Sequence, residues 1–212
     1  MKLYTENYPA PNPRKVHMFL AEKGLSDSLE YVRLSILDRE HKAPEFMRKN
    51  SLGQLPILEL DNGRIICESM AICRYLEALH PQAALFGHNP WELGQIEMWI
   101  RRTEFRLWSP MAQVWINDDA RTARVVPKQF PEYGAHNRKV FAAALQWLDG
   151  ELSDGRAFVA GDFSMADIVL VCGIDFARFV NMEIAGECTH VLAWHERMKS
   201  RPSYKTPPVG NK

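Results

Sequence analysis

The chain has 212 residues, 46% of them hydrophobic, with 26 basic and 26 acidic side chains that cancel to a net charge of zero. That is enough apolar material for a packed core in one large or two small domains. It leaves no basic excess to neutralise a nucleic-acid backbone. No run approaches the ~20 apolar residues of a membrane-spanning helix, and the N-terminus, with Glu6 and prolines soon after, lacks a signal-peptide pattern. The four cysteines have no CxxC spacing and the seven histidines form no HExxH or paired Cys/His pattern, so reduced thiols and no structural metal are expected.

In chain order, Lys2 to Thr5 reads as a short strand. Pro9 to Pro13, with three prolines in five residues, reads as a loop. Arg14 to Glu22 carries Val16, Phe19 and Leu20 on one helical face, ended by Gly24. A strand at Leu29 to Leu34 and a short helix at Glu40 to Lys49 follow. Next come strands at Ile57 to Leu60 and Ile65 to Cys67 around the turn Asp61-Asn62-Gly63, then a helix from Ser69 to about Leu79, stopped by Pro81. The order β-α-β-α-β-β-α suits a small mixed sheet with helices on its faces.

From Pro90 the apolar spacing is three and four throughout, in Ile96, Trp99, Ile100, Leu107, Met111, Val114 and Trp115. Pro110 should kink or divide this run. Further helices are expected at His136 to Leu152, after the capping signal Ser164-Met165-Ala166-Asp167, and at Val191 to Lys199. These patterns imply an α+β chain with domains at 1–81 and 91–212 joined by a linker at 82–90.

Two local features carry chemistry. Pro56 cannot donate to a sheet ladder, so Leu55-Pro56 sits at a strand start, where a cis bond would leave the Leu55 amide and carbonyl free to hold another backbone. Thirteen residues after Leu55, Glu68-Ser69 opens a helix whose first amides point outward. Together they read as a site for a peptide-like ligand bearing a free carboxylate.

These residues, in the stretches Asn50 to Pro56, Glu68 to Leu76 and Phe163 to Asp167, resemble the cytosolic glutathione transferases in order and spacing across nearly the whole chain. The resemblance implies a thioredoxin-like domain followed by a helical bundle, in a cytoplasmic homodimer acting in detoxification on glutathione and a small electrophile. It implies that Leu55, before cis-Pro56, pairs with the cysteinyl backbone of glutathione, with Gln54 beside it. Ser69 would take the γ-glutamyl carboxylate, Glu68 the γ-glutamyl ammonium, and His41 or Lys42 the glycine carboxylate. Asp167 would be structural, capping a buried helix start.

The activating residue departs from the family's usual pattern. No Ser or Cys stands in Tyr8 to Arg14, and the position of the usual serine falls on Pro9 or Ala10. The segment resembles the Thr-Pro-Asn of the bacterial Nu class and other atypical transferases, with Ala10 for the threonine and Asn12 for the asparagine. Asn12 is therefore the candidate thiolate donor, alongside helix-terminal amides, a held water and Tyr8. Lowering a thiol pKa of about 8.5 by two units takes roughly 2.7 kcal/mol, within reach of two hydrogen bonds to an anion. Tyr8, Trp108, Met111 and Trp115 are candidates to line the electrophile's pocket, and Arg101, Arg102 and Glu104 a charged face or dimer contacts. The alternatives are glutathione-dependent peroxide or disulfide reduction, and a non-catalytic glutathione-binding or partner-recruiting module. Isomerisation of the maleylacetoacetate type is disfavoured, because the Ser-Ser-Cys motif is absent.

Overall fold

The computed structural model describes residues 1–6, 10–123 and 125–205. They form two compact units, one reaching to Leu85 and joined by the segment that starts at Arg201, the other spanning Phe86–Ser200. The sequence places the division between residues 81 and 91 and assigns everything after it to the helical part. Residues from Arg201 instead group with the first unit, because Arg201 pairs with Glu22.

In the first unit β1 (Lys2–Thr5), β2 (Glu30–Arg33), β3 (Ile57–Glu59) and β4 (Ile65–Cys67) form a sheet in the order β2-β1-β3-β4. β1 runs parallel to β2 with Leu3 opposite Tyr31, and antiparallel to β3 with Leu3 opposite Leu58. β4 closes a hairpin on β3, with Leu58 opposite Ile66. The alternation of a strand explains the two faces. Leu3 and Thr5 are fully buried, as are Val16, Phe19 and Leu20 of α1 (Pro11–Glu22) and Ile72 of α3 (Ser69–Leu79). Tyr4 looks the other way, onto Phe46 of α2 (Pro44–Lys49), in a cluster with Leu55 and Ile57. Both neighbours in the central strand β3, Ile57 and Leu58, are therefore covered, each worth about 1.5–3 kcal/mol.

Two expectations need correction. Pro9 to Pro13 is not a loop throughout, since α1 begins at Pro11. Proline is tolerated in a first helical turn, where the lost N–H has no intrahelical acceptor, and that turn takes both Pro11 and Pro13. Glu40 to Lys49 is not one helix: a 3-10 turn, Glu40–Lys42, precedes α2, which starts afresh at Pro44.

The second unit holds α4 (Pro90–Thr103), α5 (Ser109–Asp118), α6 (Pro131–Glu151), α7 (Met165–Phe179) and α8 (Thr189–Ser200). Pro110 does divide its helical run, through a π-helical turn at Glu104–Trp108 that links α4 to α5. A proline ring crowds the carbonyl four residues back, and widening the preceding turn relieves that clash. α7 is buried along nearly its whole length and starts on the expected capping box of Ser164 and Asp167.

One buried histidine couples the first unit to pH. His17 lies 2.7 Å from the Thr5 hydroxyl, stacks on Tyr31, and has no hydrogen-bond partner on Nδ1 among the described residues. Burial, with the charge of Arg33 adding, lowers its pKa from 6.5 to about 4. The unfolded chain binds the proton first, so the stability that neutral His17 contributes is present above pH 6.5 and lost as pH falls towards 4. The loss should reach about 3 kcal/mol. Urea titrations at pH 4.5 and 7 should show a larger drop for the native chain than for His17→Gln; equal drops would exclude His17 as the cause.

Candidate functional site

The first unit carries a small open groove, lined by Asn12, Asn50, Gln54, Leu55, Pro56, Glu68 and Ser69. Three chain segments build it. The first is the turn between α2 and β3. Asn50 is buried, accepts from the Leu52 amide at 3.2 Å and donates to the Gln54 carbonyl at 2.9 Å. Gly53 in this turn has φ +54, and a Cβ there would stand 2.5 Å from the Met47 sulfur and 2.9 Å from the His41 carbonyl. The turn is thus pressed onto the 3-10 segment and needs glycine on both counts. The Leu55–Pro56 bond is cis. The Leu55 side chain is buried against Phe46 and Ile57, while its N–H and C=O carry no hydrogen bond among the described residues. An extended backbone lying in the groove could pair with both.

The second segment is the start of α3. Glu68 caps this helix with φ +70, a sparsely populated region for a residue with a Cβ, and its side chain makes no cap bond. Ile72 is the first residue to donate within the helix, to the Glu68 carbonyl. The amides of Ser69, Met70 and Ala71 therefore have no intrahelical acceptor. The Ser69 side chain is 6% exposed and makes no hydrogen bond among the described residues. Amides, a hydroxyl and the positive end of the helix dipole together suit a carboxylate, and Glu68 beside them suits a cation.

The third segment is the start of α1, where Ala10 has no side chain to cap with. Pro11 and Pro13 have no N–H, and the Arg14 amide already donates to the Ala10 carbonyl at 3.2 Å. The first turn therefore offers a single backbone donor, that of Asn12. The exposed Asn12 carboxamide makes no hydrogen bond among the described residues. Two donors on one residue, at a helix N-terminus, face the groove from this side.

Other predicted site residues lie outside the groove lining. Lys42 donates to the Leu52 carbonyl at 2.9 Å, so its ammonium braces the Gly53 turn. His41 is half-buried, and burial with the charge of Lys42 holds its imidazole below the ordinary value. Met111 is 2% exposed and belongs to the core of the helical unit, where it has no surface to offer a ligand. Trp108 is half-buried and donates from Nε1 to the Val169 carbonyl at 3.0 Å; a Cβ on Gly173 would stand 2.4 Å from that nitrogen. Trp115 is half-buried too, edge-on to Phe176 with ring centroids 5.3 Å apart. Tyr8 falls outside the described residues. Asn50 is the groove residue that motif reading missed as a site residue. Its signal is an Asx-type turn, which sequence reads only as loop chemistry.

Residues 10–79 match the family description "Glutathione S-transferase, N-terminal domain", and residues 103–197 match "Glutathione S-transferase, C-terminal domain". Glutathione S-transferase 2 of Saccharomyces cerevisiae is 38% identical over 96% of this chain and 88% of its own length. The crystal structure of Gtt2 from Saccharomyces cerevisiae superposes with a TM-score of 0.90 at 37% identity, covering 97% of this chain and 99% of that one. Elongation factor 1-gamma 1 of Oryza sativa is 29% identical over 78% of this chain, which spans 38% of that longer protein.

Proposed function

Because this chain belongs to the glutathione S-transferase family, we propose that its groove holds glutathione and that Asn12 stabilises the thiolate for attack on a small electrophile. The observation that carries this reading is the convergence in one groove of three sets of unfilled backbone or side-chain donors, at Leu55, at Ser69 and at Asn12. Each matches a part of the tripeptide. The Leu55 N–H and C=O suit the cysteinyl backbone. Ser69 and the α3 amides suit the γ-glutamyl carboxylate, with Glu68 for the γ-glutamyl ammonium. For the glycine carboxylate, Lys42 and His41 remain the candidates, reached from the Gly53 turn.

Catalysis on this reading needs no covalent step on the protein. Binding places the cysteinyl sulfur by the start of α1, where the Asn12 amide and carboxamide offset the charge left on sulfur as its proton passes to solvent. The thiolate then attacks the electrophile's carbon and the leaving group departs with the electron pair. For the electrophile we propose a small apolar molecule.

The test is the ultraviolet difference spectrum of glutathione titrated with pH in the presence of the protein. Thiolate absorbance should appear well below the free-thiol pKa of about 8.5, and Asn12→Ala should raise the bound value by about one unit, about 1.4 kcal/mol. An unchanged midpoint in Asn12→Ala would move the role to another group. Tight binding without any thiolate signal would overturn the activation step while leaving the groove as a binding site.

A further inference from the structure

The segment starting at Arg201 lies along α1. Arg201 grips the Glu22 carboxylate with both arms of its guanidinium, Nε at 2.9 Å and Nη2 at 2.7 Å, and the buried Ser203 hydroxyl donates to the same carboxylate. At the other end of the helix the Arg14 guanidinium sits 4.7 Å from the centroid of the Tyr204 ring. Arg14, Met18 and Glu22 follow one another at i, i+4 and i+8, so they share one face of α1. Met18, between the two contacts, is 2% exposed. Residues 201–204 thus hold α1 near both its ends.

Glu22 is ten residues from Asn12, whereas Arg14 is its near neighbour in the same first turn. That turn is poorly secured by its own bonds. Its cap residue contributes no side-chain bond, and two of its first three positions are prolines, which have no N–H for a capping group to hold. A first turn of this kind is the part of a helix most prone to fray or roll. The donors on Asn12 act only if they stay aimed, and a misplacement of about 1 Å can cost about 100-fold in rate.

We propose that Tyr204 is a positioning residue for the transferase reaction: by holding Arg14 it fixes the first turn of α1, and with it the Asn12 donors, against the bound sulfur. The inference rests on the reading of Asn12 as the thiolate's donor. It assigns no chemistry to Tyr204, which meets Arg14 through the face of its ring.

The experiment titrates thiolate absorbance and kcat/KM with glutathione and 1-chloro-2,4-dinitrobenzene, alongside thermal unfolding of each protein. In Tyr204→Leu the bound-thiol midpoint should rise by about 0.5 unit, about threefold less thiolate below it, while the glutathione Kd measured at low pH, before the thiol ionises, stays within about twofold. Tyr204→Phe, which keeps the ring, should titrate like the native protein. Should Tyr204→Leu not fold, Arg14→Gln removes the other half of the contact and should raise the midpoint likewise. A lowered Tm with an unmoved midpoint would overturn the proposal and leave the segment a purely structural strap. If Asn12→Ala moves the midpoint and Tyr204→Leu does not, the positioning role alone fails. If Asn12→Ala leaves it unmoved, the site reading fails and takes this inference with it.

Discussion

Ser69→Ala should weaken glutathione binding by about 1.5–3 kcal/mol, roughly 10- to 150-fold in Kd, the cost of removing a hydrogen bond to a charged group. The argument is local. Ser69 stands at the first position of α3, is 6% exposed, lines the groove, and makes no hydrogen bond among the described residues. A hydroxyl that lines the groove unfilled gains a partner when a carboxylate arrives. The alanine variant keeps the amides of α3, so binding is reduced without being abolished. Titration calorimetry with glutathione decides it, and an unchanged Kd would remove Ser69 from the ligand's contacts. Glu68→Gln offers a contrast, because it should weaken binding of glutathione far more than of an analogue lacking the γ-glutamyl ammonium.

Asp167→Ala should cost about 3–5 kcal/mol of stability. Asp167 is fully buried. Its Oδ1 accepts from the Val159 amide at 3.0 Å and from Trp194 Nε1 at 2.9 Å, and its Oδ2 accepts from the Ser164 amide at 3.1 Å. One carboxylate therefore satisfies a helix start, a loop amide and an indole from α8. Burial raises its pKa to about 6, against the pull of these donors. Alanine would leave three buried N–H groups without acceptors, each at about 1–3 kcal/mol before relaxation. Asp167→Asn is the sharper variant. Its oxygen can serve Val159 and Trp194, but its NH2 then faces the Ser164 amide, donor against donor, so it should fall between alanine and the native chain. Urea unfolding followed by tryptophan fluorescence measures both, and a loss below about 1 kcal/mol for alanine would deny Asp167 this role.

Much of the architecture was legible without coordinates because the signals are local. The hairpin of β3 and β4 follows from alternation around Asn62-Gly63, α3 from its Ser69 start and Pro81 stop, and α7 from its capping box. The groove was legible in part for the same reason. Leu55-Pro56 and Glu68-Ser69 advertise unfilled backbone groups whatever surrounds them. Met111 shows the limit, since helical spacing cannot tell a buried Met from one that faces a ligand.

What only the tertiary structure decided depends on partners distant in sequence. That α1 starts at Pro11 makes Asn12 the sole backbone donor of its first turn, and alternating prolines at 9, 11 and 13 read equally well as a loop. Asn50 became a groove residue because its turn is pressed onto the 3-10 segment through Gly53. Gly173 is required by the Trp108 indole lying over it, and Arg14 lies over the ring of Tyr204, far along the chain. Periodicity and turn chemistry report what a residue's own backbone prefers. Which side chains meet is set by packing elements whose sequence separation carries no local signal.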